Sequence, residues 1–167
     1  MGAKPRRYSS NRAGGVKTAK FTQPDEINES EKDDVKTIPD THKDLLKTDV
    51  AILATIGKGG YPQVTALWFL LDDDGLVRMS LNCTRQKVKN LLANPDCTLF
   101  ILDRTNPLRT LEIRARAEIT PDKEYIFADK VGKKYGVDLR KNERPGEYRY
   151  KVTLHPVRIN AIDLSIG

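Results

Sequence analysis

The 167-residue sequence predicts a mainly β domain with helices (α+β): an antiparallel barrel of about six strands with helices at its rim. Three observations lead there. TLEIRARAEIT at 110–120 alternates Leu111, Ile113, Ala115, Ala117 and Ile119 with Glu112, Arg114, Arg116 and Glu118, so one face is buried and one charged. Short apolar runs are separated by turn-forming KGGYP (58–62), DDDG (72–75) and RPGE (144–147). Helical spacing occurs only in short segments between such runs.

Each element has its own warrant. Residues 41–47 predict a short helix with Thr41 as N-cap. VAILATIG (50–57) is a β-branched apolar run and reads as a buried strand. QVTALWFLLD (63–72) predicts a second strand, with Gln63, Thr65 and Leu67 on one face and Val64, Ala66 and Trp68 on the other. LVRMSLN (76–82) sets Val77, Met79 and Leu81 opposite Arg78, Ser80 and Asn82. These first three strands predict a meander. A helix then starts near Thr84, carries Val88, Leu91 and Leu92 as its apolar face, and stops at Asn94-Pro95. It crosses to a fourth strand, CTLFILD (97–103). After the strand at 110–120, Thr120-Pro121 predicts a helix with proline at its first position. Phe127, Val131 and Tyr135 form its stripe and Gly136 ends it. YRYKVTLHPVRINAID (148–163) is a long last strand, in which Pro156 requires an outward-facing position or a bulge.

Composition narrows the class. Hydrophobic residues make up 38% and charged residues 31%, ordinary values for a soluble protein. No apolar run approaches the ~18 residues of a membrane span. Arg6-Arg7 is not followed by an apolar segment, so no export signal is read. Cys83 and Cys97 lack CxxC spacing, and a reducing cytoplasm is expected. With His42 and His155 the only histidines, no zinc site is expected.

Charge is uneven along the chain. Residues 1–23 hold six basic and no acidic side chains, and residues 24–40 hold seven acidic ones against Lys32 and Lys36. Residues 1–40 thus sum to +1, which leaves +5 of the +6 total for the rest. Poor in apolar residues and without periodicity, residues 1–40 read as a disordered charged extension of a domain at 41–167. A solvated tail is the simpler reading of that extension. A tether to nucleic acid or membrane is the sharper one.

The helix start TRQKVKN (84–90) carries Arg85, Lys87 and Lys89, where acidic side chains would suit the macrodipole. A solvated basic helix is one reading. The other is an anion cradle: free amides follow a strand end, Thr84 can cap or donate, Arg85 and Lys87 add cationic donors, and Ser80 and Asn82 project towards the same end. Gln63 and Thr65 place hydrogen-bonding groups on an otherwise apolar strand. His155 lacks a partner at telling spacing, and Glu112 and Glu118 read as strand charge pairing, so no catalytic constellation is visible. Such a chain suits chemistry carried by a cofactor.

Residues 42–163 resemble the pyridoxamine 5'-phosphate oxidase-like, FMN-binding split β-barrel family, and within it the branch of probable F420-dependent oxidoreductases. The resemblance rests on ATIGKGGYPQV (54–64), on TRQKVKNL (84–91) with the following Asn94-Pro95, on AEIT (117–120) before a helix, and on the strand order. It implies a homodimer with cofactor sites at the subunit interface. The ring would lie on the wall formed by Gln63, Val64, Thr65, Ala66 and Leu67. Ser80 would meet the ribityl-type chain, Thr84, Arg85 and Lys87 the phosphate, with Gln86 and Asn90 beside them. Pro107, Leu108 and Arg158 would come from the partner subunit, whose loop at 104–110 lacks the aromatic residue the family often has there.

Two cofactors fit that resemblance. FMN ends at one phosphate, whereas coenzyme F420 continues into an anionic tail. The +5 domain, with Lys89, Arg104 and Arg109 expected near the cradle, favours the deazaflavin. The expected activity is hydride transfer between F420 and a small-molecule substrate, with FMN-dependent oxidoreduction as the alternative. Tyr61 and Tyr148 are the proton-donor candidates. A third reading, a basic barrel binding nucleic acid or another anion, is disfavoured because the tail has only Tyr8 and Phe21 as aromatics.

Overall fold

A computed structural model of the chain describes residues 37–165. Most of the expected extension at 1–40 lies outside the described residues. The chain runs through a 3-10 helix (Asp40–Lys47), β1 (Val50–Ile56), β2 (Pro62–Trp68), β3 (Leu70–Leu71), β4 (Val77–Asn82), α1 (Gln86–Ala93) and β5 (Asp96–Leu102). It continues with β6 (Arg109–Asp122), α2 (Ile126–Tyr135), a second 3-10 helix (Leu139–Asn142) and β7 (Arg149–Asp163). All strand pairs are antiparallel, in one seven-stranded sheet of order β2-β1-β5-β6-β7-β4-β3. This is the mainly β, α+β split-barrel class, with one short strand more than expected.

The expected meander is broken. β2 pairs only with β1, while β3 pairs with β4 across the turn at 72–75, so the second predicted strand divides at Phe69. Phe69 has its side chain fully buried, and its backbone is taken up by α2: its N–H donates to Tyr135 Oη at 3.2 Å and its carbonyl accepts from Lys134 Nζ at 3.0 Å. The chain crosses there from one sheet edge to the other. Trp68, next to the break, stacks on Tyr135 at 4.5 Å.

Alternation places the core. Leu53, Met79, Leu99, Ile101, Leu111, Ile113, Val152 and Leu154 are all at most 1% exposed and meet inside the curled sheet. Each contributes roughly 1.5–3 kcal/mol of burial free energy. Val88 and Leu91 of α1 join them, but Leu92 faces outward and Asn90 takes the inward place. An eight-residue helix has one short inward stripe, and Asn90 is tolerated in it because its amide is fully hydrogen-bonded.

Two further expectations are corrected. Pro39 is the N-cap of the first 3-10 helix, and Thr41 bonds to His42 instead of capping. Pro121 belongs to β6, not to a helix. α2 begins only at Ile126, where the buried Asp122 carboxylate accepts from the amides of Phe127 and Ala128 at 3.2 and 2.8 Å. At Pro156 the β6–β7 register shifts, since Arg114 pairs with Arg158 and Ala115 with Pro156; the missing amide sits at a bulge, as expected.

Candidate functional site

β2 and β4 are not neighbours in the sheet, yet both line one cavity of about 510 Å³. The sheet curls until its free edge strand faces β4, and the start of α1 closes the seam between them. Gln63, Thr65 and Ala66 come from β2, Ser80, Leu81 and Asn82 from β4, Arg85, Gln86 and Lys87 from the helix start, and Arg149 from β7. No carboxylate is among these residues. Ser80 and Asn82, expected to project towards the helix start, do so and are 8% and 7% exposed because this seam covers them.

Three local arrangements shape the cavity. The first is the helix start. Arg85 is the N-cap of α1 and has no side-chain cap bond. Thr84 does not cap; its hydroxyl and amide both donate to Asn82 Oδ1, at 2.6 and 2.9 Å, and it lines a neighbouring cavity with Arg85 and Arg144. Among the described residues neither Arg85 nor Lys87 has an ion-pair partner. Burial, then the Arg85 charge, push the Lys87 ammonium below its ordinary value of 10.5.

The second is the Asn90 amide. Its Nδ2 donates to Thr55 Oγ1 and Gln63 Oε1, both at 3.0 Å, and its Oδ1 accepts from Gln86 Nε2 at 2.9 Å. Asn90 is therefore not on the cavity surface: it is buried and fixes Gln63 and Gln86, which are. With Gln63 Oε1 occupied by a donor, the Gln63 amide keeps its own N–H groups for the cavity.

The third is Thr65. Its Oγ1 is buried, and among the described residues it is the one buried side-chain polar atom without a hydrogen-bond partner. A desolvated hydroxyl without a partner is unfavourable, and an acceptor brought within its reach would relieve that cost. A cavity lined by hydroxyl, amide and cationic donors and by no carboxylate suits an oxygen-rich anion.

The remaining expected residues lie elsewhere. Val64 is 60% exposed on the outer face of β2, and Leu67 is in the core. Pro107, Leu108 and Arg158 are exposed and line no part of this cavity in their own chain. Of the cations expected near the cradle, Arg109 is tied to Asp44 and Asp103 beneath the first 3-10 helix, and Lys89 and Arg104 do not line the cavity. Tyr61 is 83% exposed and Tyr148 bonds Tyr150 at 2.8 Å, so neither faces the seam. Arg149 is the residue that reading the sequence missed. Its place in YRYKV marks it only as a strand residue, and its cavity position depends on β7 pairing with β4.

Fold and seam together define a split-barrel protein with a cationic cavity between two strands that do not pair. The chain belongs to the pyridoxamine 5'-phosphate oxidase family of flavin-binding oxidoreductases, whose sequence model matches residues 38–162. It is 32% identical to a solved F420 reductase, over 74% of this chain and 98% of the other, with a TM-score of 0.64. Two further solved structures share the fold at 21% identity. One is HupZ of Group A Streptococcus, with a TM-score of 0.61 over 78% of this chain and 98% of that one. The other is a conserved hypothetical protein from Mycobacterium tuberculosis, with a TM-score of 0.60 over 81% and 95%. No curated protein sequence matches the chain. No helix among the described residues is long and apolar enough to cross a membrane.

Proposed function

We propose that the chain is an oxidoreductase that moves a hydride between coenzyme F420 and a small organic substrate, with the cofactor at the interface of a homodimer. The observation that carries this reading is the seam cavity, where an unpaired Thr65 hydroxyl, Ser80 and two cations without an ion-pair partner among the described residues converge. Likeness to an F420 reductase supports the choice of cofactor.

The residues present fit such a group. Arg85 and Lys87 hold the phosphate, with the helix-start amides behind them. Ser80 and Thr65 donate hydroxyl protons, and Gln63, fixed by Asn90, donates from its amide. When bound, the deazaflavin supplies the hydride chemistry. The chain supplies orientation and exclusion of water. Pro107, Leu108 and Arg158, exposed in the single chain, are available to a partner's site. Cys83 and Cys97 are free thiols, which fits a reducing cytoplasm.

FMN is the second reading. The family's description favours it, and so does the placement of Lys89, Arg104 and Arg109 away from the cavity, which removes the basic surface expected for an anionic tail. Equilibrium dialysis against both cofactors decides. Retention of F420 over FMN upholds the first reading, retention of FMN the second, and retention of neither at micromolar concentration removes both.

A further inference from the structure

We propose that Arg149 is a third phosphate-binding residue of the seam cavity, and that the buried carboxylate of Glu143 is the group that aims it. The inference rests on the reading of the cavity as a cofactor-phosphate site. Arg149 opens β7 and pairs with Asn82 of β4. Its Nε donates to Ser80 Oγ at 2.8 Å, its Nη2 to the Ser80 carbonyl at 2.9 Å, and its Nη1 to Glu143 Oε1 at 2.9 Å. A guanidinium has five N–H groups, so two remain for the cavity it lines.

Glu143 is built as a support. Its side chain is 6% exposed, one oxygen takes the Arg149 fork and the other accepts the Tyr125 hydroxyl. Arg140 lies over the Tyr125 ring at 4.8 Å. The Arg149 fork cannot turn without breaking three bonds, and this preorganisation is what phosphate recognition by arginine uses.

The same contact sets the polarity of Ser80. Its oxygen receives the Arg149 Nε–H, and among the described residues its own proton has no acceptor. Arg149 thus turns Ser80 into a donor and adds two N–H groups beside it. Glu143 balances the Arg149 charge, and Arg85 and Lys87 stay as the cations without an ion-pair partner among the described residues. Glu143 is a positioning residue: it acts through Arg149 and does not line the cavity.

The test compares FMN with riboflavin, which lacks the phosphate, by titration against the full chain. Arg149→Met is expected to lower the FMN-to-riboflavin affinity ratio by about tenfold or more, the effect of one charge-assisted contact. Glu143→Ala is expected to lower it too, and Glu143→Gln, which keeps an acceptor for Nη1, to restore it to within about threefold. A purely structural ion pair would leave the ratio unchanged in folded Arg149→Met and Glu143→Ala, and that result overturns the proposal. If Arg149→Met does not fold, the two Glu143 variants decide. If the unaltered chain binds F420 and not FMN, F420 replaces FMN, with its dephosphorylated deazaflavin as the reference. If it binds neither, the functional reading fails, and inorganic phosphate titrated by thermal shift decides Arg149 alone: a stabilisation lost in Arg149→Met upholds it, and an equal shift overturns it.

Discussion

Asn90 Nδ2 lies 3.0 Å from both Gln63 Oε1 and Thr55 Oγ1, so one buried amide ties α1 to both strands of the β1–β2 hairpin. Asn90→Ala removes these bonds and leaves buried partners unsatisfied. The expected loss is about 2–4 kcal/mol in chemical denaturation. A loss under about 0.5 kcal/mol, the scale of an ordinary surface substitution, would contradict the assigned role.

Thr65 gives two effects of opposite sign. Thr65→Val removes a buried hydroxyl that has no partner in the chain. Stability of the cofactor-free protein is expected to hold or rise by about 1 kcal/mol, while cofactor affinity falls by about 0.5–1.5 kcal/mol. Parallel denaturation and binding titrations check both. A drop in stability with unchanged affinity would mean that the hydroxyl serves the fold.

Lys87 makes both stability and binding depend on pH. Its folded pKa is lowered from 10.5 by burial and then by Arg85. Between that lowered value and 10.5 the unfolded chain binds more protons, so stability rises with pH across the window. Below the folded value the full penalty remains. A bound phosphate favours the charged ammonium, so affinity falls as pH rises through the same window. Denaturation midpoints and binding constants measured across it should show both trends, and Lys87→Met should abolish them.

The proposed homodimer is checked by complementation. A chain carrying Arg158→Ala and a chain carrying Arg85→Ala with Lys87→Ala are each expected to bind cofactor poorly. After mixing and exchange, a mixed dimer holds one site with both halves intact, and part of the binding returns. No recovery, with exchange shown by light scattering or mass spectrometry, would place Arg158 outside the site.

Much of this architecture was legible because it follows local rules. The alternation at 110–120, the turn glycines Gly60, Gly75 and Gly146 at positive φ, the end of α2 at Gly136 and the bulge at Pro156 all follow from residue chemistry. Ser80, Arg85 and Lys87 stand out in the sequence because polar and cationic groups occupy places that burial and the helix dipole disfavour. The missed features are non-local. The break at Phe69 depends on Tyr135 and Lys134, distant in sequence. Leu92 is expected in the core and is exposed, because periodicity cannot fix the rotation of so short a helix, and Asn90, which the resemblance sets beside the phosphate, is buried against Thr55 and Gln63. Pro121 imitated a helix start, since strand and helix both accept proline at an end. Arg149 reaches the cavity only through the pairing of β7 with β4.

The central claim is that the start of α1 holds a cofactor phosphate. Equilibrium dialysis of F420 and FMN against the unaltered chain and the Arg85→Ala, Lys87→Ala double variant tests it most directly. Micromolar or tighter binding of one cofactor is predicted, weakened in the variant by roughly 2–4 kcal/mol as two charge-assisted contacts are lost. Equal binding to both proteins, or no binding to the unaltered chain, would contradict it.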